Sequence, residues 1–177
     1  MGCKVYCWNM NGKVLEKLPF LRDLSTKYDL ICLQEHFLTE ASVNLLKFSP
    51  DRHYIIQPAR KFGNHRRTSG GLAIISKSGP LPPACLQQSE HFQLIKCGDF
   101  IVANVYLPTN YNNIVSEQKF PIACKTLGIS IKKVLRVGLP LVILGDFNCN
   151  IEDSSNSRAQ VLLSSLPNGF KLATKNK

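Results

Sequence analysis

The amino-acid sequence predicts an α+β fold in which sheets pack face to face and helices cover them. Seven short apolar runs, separated by turn residues, indicate strands, which is a high proportion for 177 residues. Apolar residues at helical spacing occur between these runs, so strands and helices intermingle along the chain. The strands on either side of Gly98-Asp99 are spaced as a hairpin, which favours layered sheets. With 44% hydrophobic residues the chain can bury one core, and we expect a single domain.

The individual elements follow from two periodicities. Short apolar runs predict strands over residues 4–8, 30–34, 54–57, 72–76, 92–96, 101–106 and 141–144. Apolar residues at helical spacing predict helices over residues 14–28, 42–48, 116–137 and 157–166. Pro19 should delay or kink the first of these helices, and Ser157 is a suitable cap for the last.

The charge balance favours a polyanionic partner. The chain has 22 Lys and Arg against 12 Asp and Glu, a formal net charge of +10 and a pI of about 9.4. Such an excess is typical of nucleic-acid-binding proteins, although a basic surface can also serve only to keep a protein soluble. The strongest basic cluster covers residues 60–67 and includes Arg66 and Arg67. We interpret it as an exposed loop that either follows a phosphate backbone or is simply solvated.

Cysteine usage and hydropathy predict an intracellular protein. The seven cysteines are odd in number and lack paired CxxC spacing, so we interpret them as reduced thiols of a nuclear or cytoplasmic protein. No apolar run approaches the roughly 18 to 20 residues that a membrane span requires. The N-terminus also lacks the layout of a secretory signal. We therefore expect no membrane partner.

The sharpest motif is the apolar run 141–144 followed by Gly145-Asp146-Phe147-Asn148. The run is interpreted as a buried strand that ends in a glycine turn and then presents two polar side chains. At a period of two residues, Asp146 and Asn148 project to the same side. A carboxylate beside an amide suits the binding of a metal ion and a phosphate. The alternative is an ordinary Asp/Asn turn after a strand.

Three weaker motifs have the same form, a strand that ends in polar side chains. Glu35 follows the run 30–34 and is a hard oxygen ligand of the type that Mg²⁺ accepts. Asn9 and Asn11 follow the first strand, before the turn residue Gly12. Tyr106 ends the strand 101–106 shortly before Pro108, although a core tyrosine is the usual explanation of such a residue.

Together and in this order, these motifs resemble the endonuclease/exonuclease/phosphatase superfamily. Leu33-Gln34-Glu35-His36, the pair Gly70-Gly71 and Asn104-Val105-Tyr106 are most similar to the endonuclease domains of non-LTR retrotransposons. The resemblance covers nearly the whole chain. It implies a four-layer α/β/β/α sandwich of two mixed sheets flanked by helices, with the active site where strand ends from both sheets converge. It also implies hydrolysis of DNA phosphodiesters with Mg²⁺, or with Mn²⁺ in its place.

The resemblance assigns a role to each motif residue. Glu35 would hold the metal ion with Asn11 near it, and Asp146 would orient or deprotonate the attacking water. Three side chains would contact the scissile phosphate: Asn9, Asn148 and Tyr106. Further substrate contacts are expected from residues beside these motifs and in the basic loop: Thr109, Asn110, Arg66 and Arg67. Thr109 stands where many relatives carry asparagine, and its hydroxyl can still hydrogen-bond a phosphate.

The sequence departs from the family pattern near its end. Family members also use a C-terminal histidine paired with an aspartate, and a further aspartate upstream, whereas the last histidine of this chain is His91. We interpret the four histidines as structural or exposed. Residues 172–177 are interpreted as the approach to a strand that is not completed. We therefore expect a domain that lacks its last strands and its proton-transferring residues, with weak or absent activity.

Three functions remain open at this point. The first is a DNA endonuclease of retrotransposon type, truncated or followed by a reverse transcriptase in a longer reading frame. The second is a nucleic-acid-binding remnant without catalysis. The third is a phosphatase or sphingomyelinase of the same superfamily, which the absence of a secretory or membrane feature disfavours. The oligomeric state is not readable from the sequence.

Overall fold

The computed structural model describes residues 2–61, 68–79, 82–109 and 114–171. Its elements, in chain order, are β1 (Val5–Asn9), α1 (Val14–Lys27), β2 (Leu30–Gln34), β3 (Arg52–Gln57), β4 (Arg60–Lys61), β5 (Thr68–Ser69), β6 (Leu72–Lys77), β7 (Ala84–Ser89), β8 (Phe92–Cys97), β9 (Phe100–Tyr106), α2 (Ile114–Val134), β10 (Leu141–Asp146) and α3 (Ser157–Ser165). Two 3₁₀ turns cover Val43–Leu46 and Leu135–Val137. All seven strands that the sequence predicts are present, and their ends agree within two residues.

The two main sheets have the same arrangement of strands. The first sheet has the order β1-β2-β6-β3 and the second the order β10-β9-β8-β7. In each sheet the outer pair, β1 with β2 and β10 with β9, is parallel, and the other neighbours are antiparallel. The strands β4 and β5 form a separate antiparallel hairpin. Because parallel strands end at the same edge of a sheet, each sheet presents two carboxyl ends side by side.

The layers are held together by three groups of buried apolar side chains. The group between the two sheets consists of Leu30, Cys32, Ile74, Ile95 and Val102. On the outer face of the first sheet, α1 buries Leu21 and Leu24 against Ile31 and Ala73. On the outer face of the second sheet, α2 and α3 bury a group that includes Phe120, Leu127, Leu162, Leu94 and Ala103. This confirms the four-layer α/β/β/α sandwich. None of the helices in the described ranges has the length and apolar character of a transmembrane segment.

Two local features of the sheets were not predicted. Strand β7 is missing from the sequence prediction because it is a largely exposed edge strand that follows several prolines and carries polar residues. The hairpin β4–β5 was missed because its strands have only two residues each. It extends the connection between β3 and β6 and carries the basic loop, of which residues 62–67 lie outside the described residues.

Three expectations about the helices are corrected. Helix α1 begins at Val14, so Pro19 does not delay it. Pro19 has no N–H to donate to the Leu15 carbonyl. The Leu15 side chain is 63% exposed, so water can reach this turn and donate to that carbonyl instead. The predicted helix 42–48 is only the 3₁₀ turn Val43–Leu46. The cap of α3 is Asn156 and not Ser157, because the Asn156 side chain accepts hydrogen bonds from the backbone of the first turn. Residues 172–177 lie outside the described ranges.

Candidate active site

The carboxyl ends of four strands meet at one edge of the sandwich. Asn9 ends β1, Tyr106 ends β9 and Asp146 ends β10, while Glu35 directly follows β2. Two side-chain hydrogen bonds cross from one sheet to the other there. Asn9 Nδ2 donates to Asp146 Oδ2 at 2.7 Å, and the Tyr106 hydroxyl donates to Glu35 Oε1. The fold therefore brings together four residues that the sequence singles out.

Strand register explains why these residues meet. Asp146 lies beside Tyr106 in the parallel pair of the second sheet, and Asn9 lies beside Gln34 in the parallel pair of the first. A side chain at each strand end can thus reach the opposite sheet. Clefts outside the carboxyl ends of strands are the usual position of ligand sites in open α/β sheets, and the same geometry applies to both parallel pairs here.

The loops after β1 and β10 have the same construction. Asn11 N–H donates to Asn9 Oδ1 at 2.9 Å, and Asn148 N–H donates to Asp146 Oδ1 at 3.0 Å. In each loop the second residue is in the left-handed region, with φ of 48° at Asn11 and 49° at Asn148. The strand period of two therefore does not extend to Asn148, contrary to the expectation from sequence. The residues are brought together by Asx-type turns.

The Asn148 and Thr109 segments lie side by side. Asn148 Nδ2 donates to the carbonyl of Leu107 at 2.7 Å. Thr109 follows two residues later and is half-buried. Three further residues expected to contact substrate lie outside the described residues: Arg66, Arg67 and Asn110.

The backbone at the site is strained. Glu35 has a φ of 53°. Five non-glycine residues in the described ranges are in the left-handed region, and Glu35, Asn11 and Asn148 are three of them. This conformation costs roughly 1–2 kcal/mol for an L-residue, and asparagine tolerates it better than glutamate. Such strain persists where the surroundings over-determine it, and it clusters at functional sites. The backbone thus marks the same residues as the sequence motifs.

The loops after β1 and β2 are tied to each other and to α1. Gly12 N–H donates to the Glu35 carbonyl at 2.7 Å, which couples the Asn11 turn to the Glu35 turn. Lys17 on α1 donates to the Met10 carbonyl, and its ammonium lies 5.4 Å from the centroid of the Trp8 ring. The sequence analysis did not single out Lys17, because one lysine on an amphipathic helix carries no signal of its own.

A buried network of side-chain amides lies directly beneath the site. Gln34 Nε2 donates to Asn104 Oδ1 at 2.6 Å, and Asn104 Nδ2 lies 3.2 Å from Gln93 Oε1. Asn104 Nδ2 also lies within 3.3 Å of the carbonyls of Leu33 and Ala73. These amides join the two sheets. The only sequence signal for them is a polar residue within an otherwise apolar strand.

His36 supports the Glu35 turn and is not available as a base. Its Nδ1 accepts from Leu38 N–H at 3.0 Å, so the proton of the neutral ring is on Nε2, which donates to the Gln57 carbonyl at 3.1 Å. A Cβ on Gly71 would lie 2.6 Å from this ring, which explains the glycine there. Burial lowers the pKa of His36.

His91 is also engaged in structural contacts. Its Nδ1 lies 3.3 Å from the Tyr106 carbonyl and its Nε2 lies 3.4 Å from Glu90 Oε1. Burial lowers the pKa of His91, and the Glu90 carboxylate partly opposes that shift. Within the ranges that the structure describes, no histidine hydrogen-bonds to Asp146 or Asn148.

The buried His36 predicts a pH-dependent stability. The pKa of His36 is lowered in the folded state. As the pH falls through the unfolded value of about 6.5, the unfolded chain therefore binds more protons than the folded chain. The contribution of the neutral His36 to the free energy of unfolding is complete above that pH. It is lost as the pH falls toward the lowered pKa of the folded state. We expect the free energy of unfolding, measured with urea, to decrease from pH 7 to pH 5, and to decrease less in His36→Asn.

The companion variant is His91→Asn, which removes a half-buried imidazole whose pKa is also lowered by burial. The two rings hydrogen-bond to different groups, His36 to Leu38 and Gln57 and His91 to Tyr106, so their effects should add, and the double variant should have the flattest profile. A wild-type slope in His36→Asn would contradict the assignment.

The donor set of the site fits a hard divalent cation. The Glu35 carboxylate and the Asn11 side-chain amide have oxygen atoms that could serve as ligands, on two loops that the Gly12–Glu35 hydrogen bond holds together. In the described part of the chain, no cluster of three or more His, Cys, Asp and Glu could form an all-protein cage. Mg²⁺ is commonly bound by one or two carboxylates together with waters and substrate phosphates, which is compatible with this set.

The fold and the site define a class: α/β/β/α sandwich proteins with carboxylate, amide and phenol groups at converging strand ends, which includes nucleases and phosphatases. The chain belongs to the Endonuclease/Exonuclease/phosphatase family, whose sequence model matches residues 7–172. No curated protein sequence is significantly similar to it.

Solved structures share the fold. A 3′-5′ exonuclease from Neisseria meningitidis is 21% identical, with a TM-score of 0.65 over 92% of this chain and 71% of that chain. An AP endonuclease from Archaeoglobus fulgidus is 16% identical, with a TM-score of 0.62 over 93% and 70%. The catalytic domain of Xenopus laevis APE2 is 20% identical, with a TM-score of 0.68 over 91% and 67%.

Proposed function

We propose that this chain is a Mg²⁺-dependent phosphodiesterase that acts on DNA, of the type found in non-LTR retrotransposons. The observation that carries the proposal is the pair of cross-sheet bonds, Asn9 to Asp146 and Tyr106 to Glu35, at the converging strand ends. In a longer element the domain would be joined to a reverse transcriptase. Mn²⁺ would replace Mg²⁺ at the same oxygen ligands.

Each side chain has a chemical task in this proposal. Glu35 and Asn11 hold the cation, which when bound neutralises charge that develops on the phosphate. Asp146 accepts a hydrogen bond on each of its two carboxylate oxygens. Either oxygen can also accept a hydrogen bond from the attacking water. Asn9 and Asn148 each have a second amide N–H that can donate to the phosphate oxygens. Tyr106 has one hydroxyl proton, which turns from Glu35 to the phosphate in this proposal. Further contacts to the DNA backbone come from Thr109, Asn110, Arg66 and Arg67.

The position of the basic hairpin supports DNA as the substrate. Arg60, which begins β4, pairs with Glu90 at 2.7 Å. The next residue, His91, accepts a hydrogen bond from Tyr106 N–H through its carbonyl at 2.8 Å. The hairpin therefore begins next to the end of β9, beside the candidate site. Together with the net charge of +10, the exposed Arg60 and Lys61 at this position support an approach of a phosphate backbone from this side.

We expect slow turnover by this polypeptide. In the described residues no histidine contacts Asp146, and a missing general base costs about 10²- to 10⁴-fold in rate. The same observation favours the second candidate function, binding of nucleic acid without hydrolysis.

Nicking of supercoiled DNA in the presence of Mg²⁺ tests the proposal. We expect Glu35→Gln to reduce nicking by about 100-fold or more, because the site loses its cation ligand while the side chain keeps its shape. Glu40→Gln is the matched control. Glu40 is exposed and lies five residues further along the chain, and this substitution removes the same charge.

Binding of a fluorescent DNA duplex in EDTA separates the two candidate functions. Binding without nicking in the wild type would favour the non-catalytic function. Equal nicking by wild type and Glu35→Gln would exclude this site as its source. A loss of nicking in Glu40→Gln as large as in Glu35→Gln would show that the removal of one negative charge, and not of the cation ligand, controls the result.

A further inference from the structure

Arg158 joins the two loops of the second sheet that carry site residues. It lies in the first turn of α3 and is half-buried. Its Nη1 donates to the Asn148 carbonyl at 3.2 Å, and its Nη2 donates to the Pro108 carbonyl. The guanidinium carbon lies 3.8 Å from the centroid of the buried Phe120 ring on α2. One side chain thus connects α3, α2 and both loops.

The chemistry of this position requires arginine. A guanidinium is planar, so it can stack on an aromatic ring and direct separate N–H groups to two carbonyls in its own plane. Lysine has a single ammonium group without a plane and cannot do both. The start of α3 is fixed by its cap, because Asn156 Oδ1 accepts from Arg158 N–H at 3.1 Å. The cap therefore fixes the backbone position of Arg158 independently of the contacts that its side chain makes with the loops.

Asn148 needs such support because its backbone is left-handed. Its N–H is held by Asp146 Oδ1 and its side-chain amide by the Leu107 carbonyl. Arg158 holds the backbone carbonyl of the same residue. A strained conformation persists only where its surroundings over-determine it, and the hydrogen bond from Arg158 completes that set.

We propose that Arg158 is a positioning residue: it locks the Asn148 loop and, through Asn148 N–H, fixes the orientation of the Asp146 carboxylate. The locking of the loop follows from the contacts above. Its consequence for hydrolysis rests on the proposed function. Arg158 itself is not assigned a contact with the phosphate.

Hydrogen–deuterium exchange of residues 145–150 tests the locking without any need for activity. We compare wild type, Arg158→Met, Arg158→Lys and the control Arg136→Met, which removes an exposed arginine from the turn after α2. We expect about 10-fold or faster exchange of this segment in Arg158→Met and an intermediate rate in Arg158→Lys, with β9 unchanged. Arg136→Met should match the wild type. Millimolar guanidinium should slow the exchange in Arg158→Met by occupying the vacated place over Phe120.

Hydrolysis provides the second readout. If the wild type nicks DNA, Arg158→Met should lower kcat by about 10- to 100-fold with little change in KM, because the reacting groups are misplaced while the binding surface remains. Guanidinium should restore part of that loss, which it would not do for a protein that has merely unfolded.

The outcomes distinguish the inference from the proposed function. Unchanged exchange in Arg158→Met, or equally faster exchange in every strand, would overturn the positioning role. Fast local exchange that guanidinium restores supports it, even if the wild type does not nick DNA and the proposed function fails. Normal kcat in Arg158→Met despite a loosened loop would remove the link between the loop and catalysis.

Discussion

Replacing Asn104 with alanine is expected to lower the free energy of unfolding by about 3–5 kcal/mol, because several buried groups each lose a partner worth about 1–3 kcal/mol. Gln34 Nε2 loses the acceptor at 2.6 Å, and Gln93 Oε1 loses its donor. Both glutamines are at most 1% exposed, so water cannot replace the lost partner without opening the sandwich. The new cavity lies between the sheets and adds to the cost.

Urea unfolding followed by far-UV circular dichroism measures this loss. The matched control is Asn44→Ala, because Asn44 is an exposed asparagine in the 3₁₀ turn. The control should shift the free energy by no more than about 0.5 kcal/mol. A loss in Asn104→Ala no larger than in the control would mean that the amide network does not hold the sheets together.

Replacing Gly145 with alanine is the second large expected effect, a loss of more than about 3 kcal/mol. A Cβ at Gly145 would lie 1.9 Å from the carbonyl oxygen of Val105, its partner in β9. The φ of 142° adds conformational strain for any residue with a side chain. Because the colliding atom belongs to the backbone, β10 must move away from β9, and Asp146 moves with it.

The comparison variant for this prediction is Gly98→Ala. Gly98 also has a positive φ, of 59°, but a Cβ there meets nothing within 4 Å. It therefore measures the conformational strain alone, about 1 kcal/mol. The difference between the two variants in thermal unfolding reports the collision with β9 together with the greater strain of a φ of 142°. Equal losses would show that the close approach of the strands is not what requires glycine at position 145.

The sequence predicted the strands well because each is an apolar run bounded by turn residues. It also predicted the joint position of Glu35 and Asp146, since the four motifs together resemble one superfamily and that family's site lies at converging strand ends. The interpretation of Gly145 as a turn was wrong. Strand β10 continues through it to Asp146, and the glycine is required by the adjacent backbone of β9.

The supporting residues could not be predicted from the sequence. Lys17 and Arg158 act through main-chain carbonyls, which every residue has, so no pattern of residue types marks their partners. The left-handed φ of Glu35 is equally invisible, because glutamate has no tendency toward that region. Such features depend on tertiary contacts between segments far apart in the chain.

The hydrogen bond between Asn9 and Asp146 links residues 137 positions apart. On the ribosome, β1 emerges long before β10 exists, and the Tyr106 hydroxyl that meets Glu35 also arrives late. Chain synthesis proceeds from the N-terminus at about 5–20 residues per second. A nascent chain therefore passes several seconds with Glu35 made and Asp146 not yet translated. Under the proposed function, an incomplete chain would therefore lack the carboxylate assigned to the attacking water.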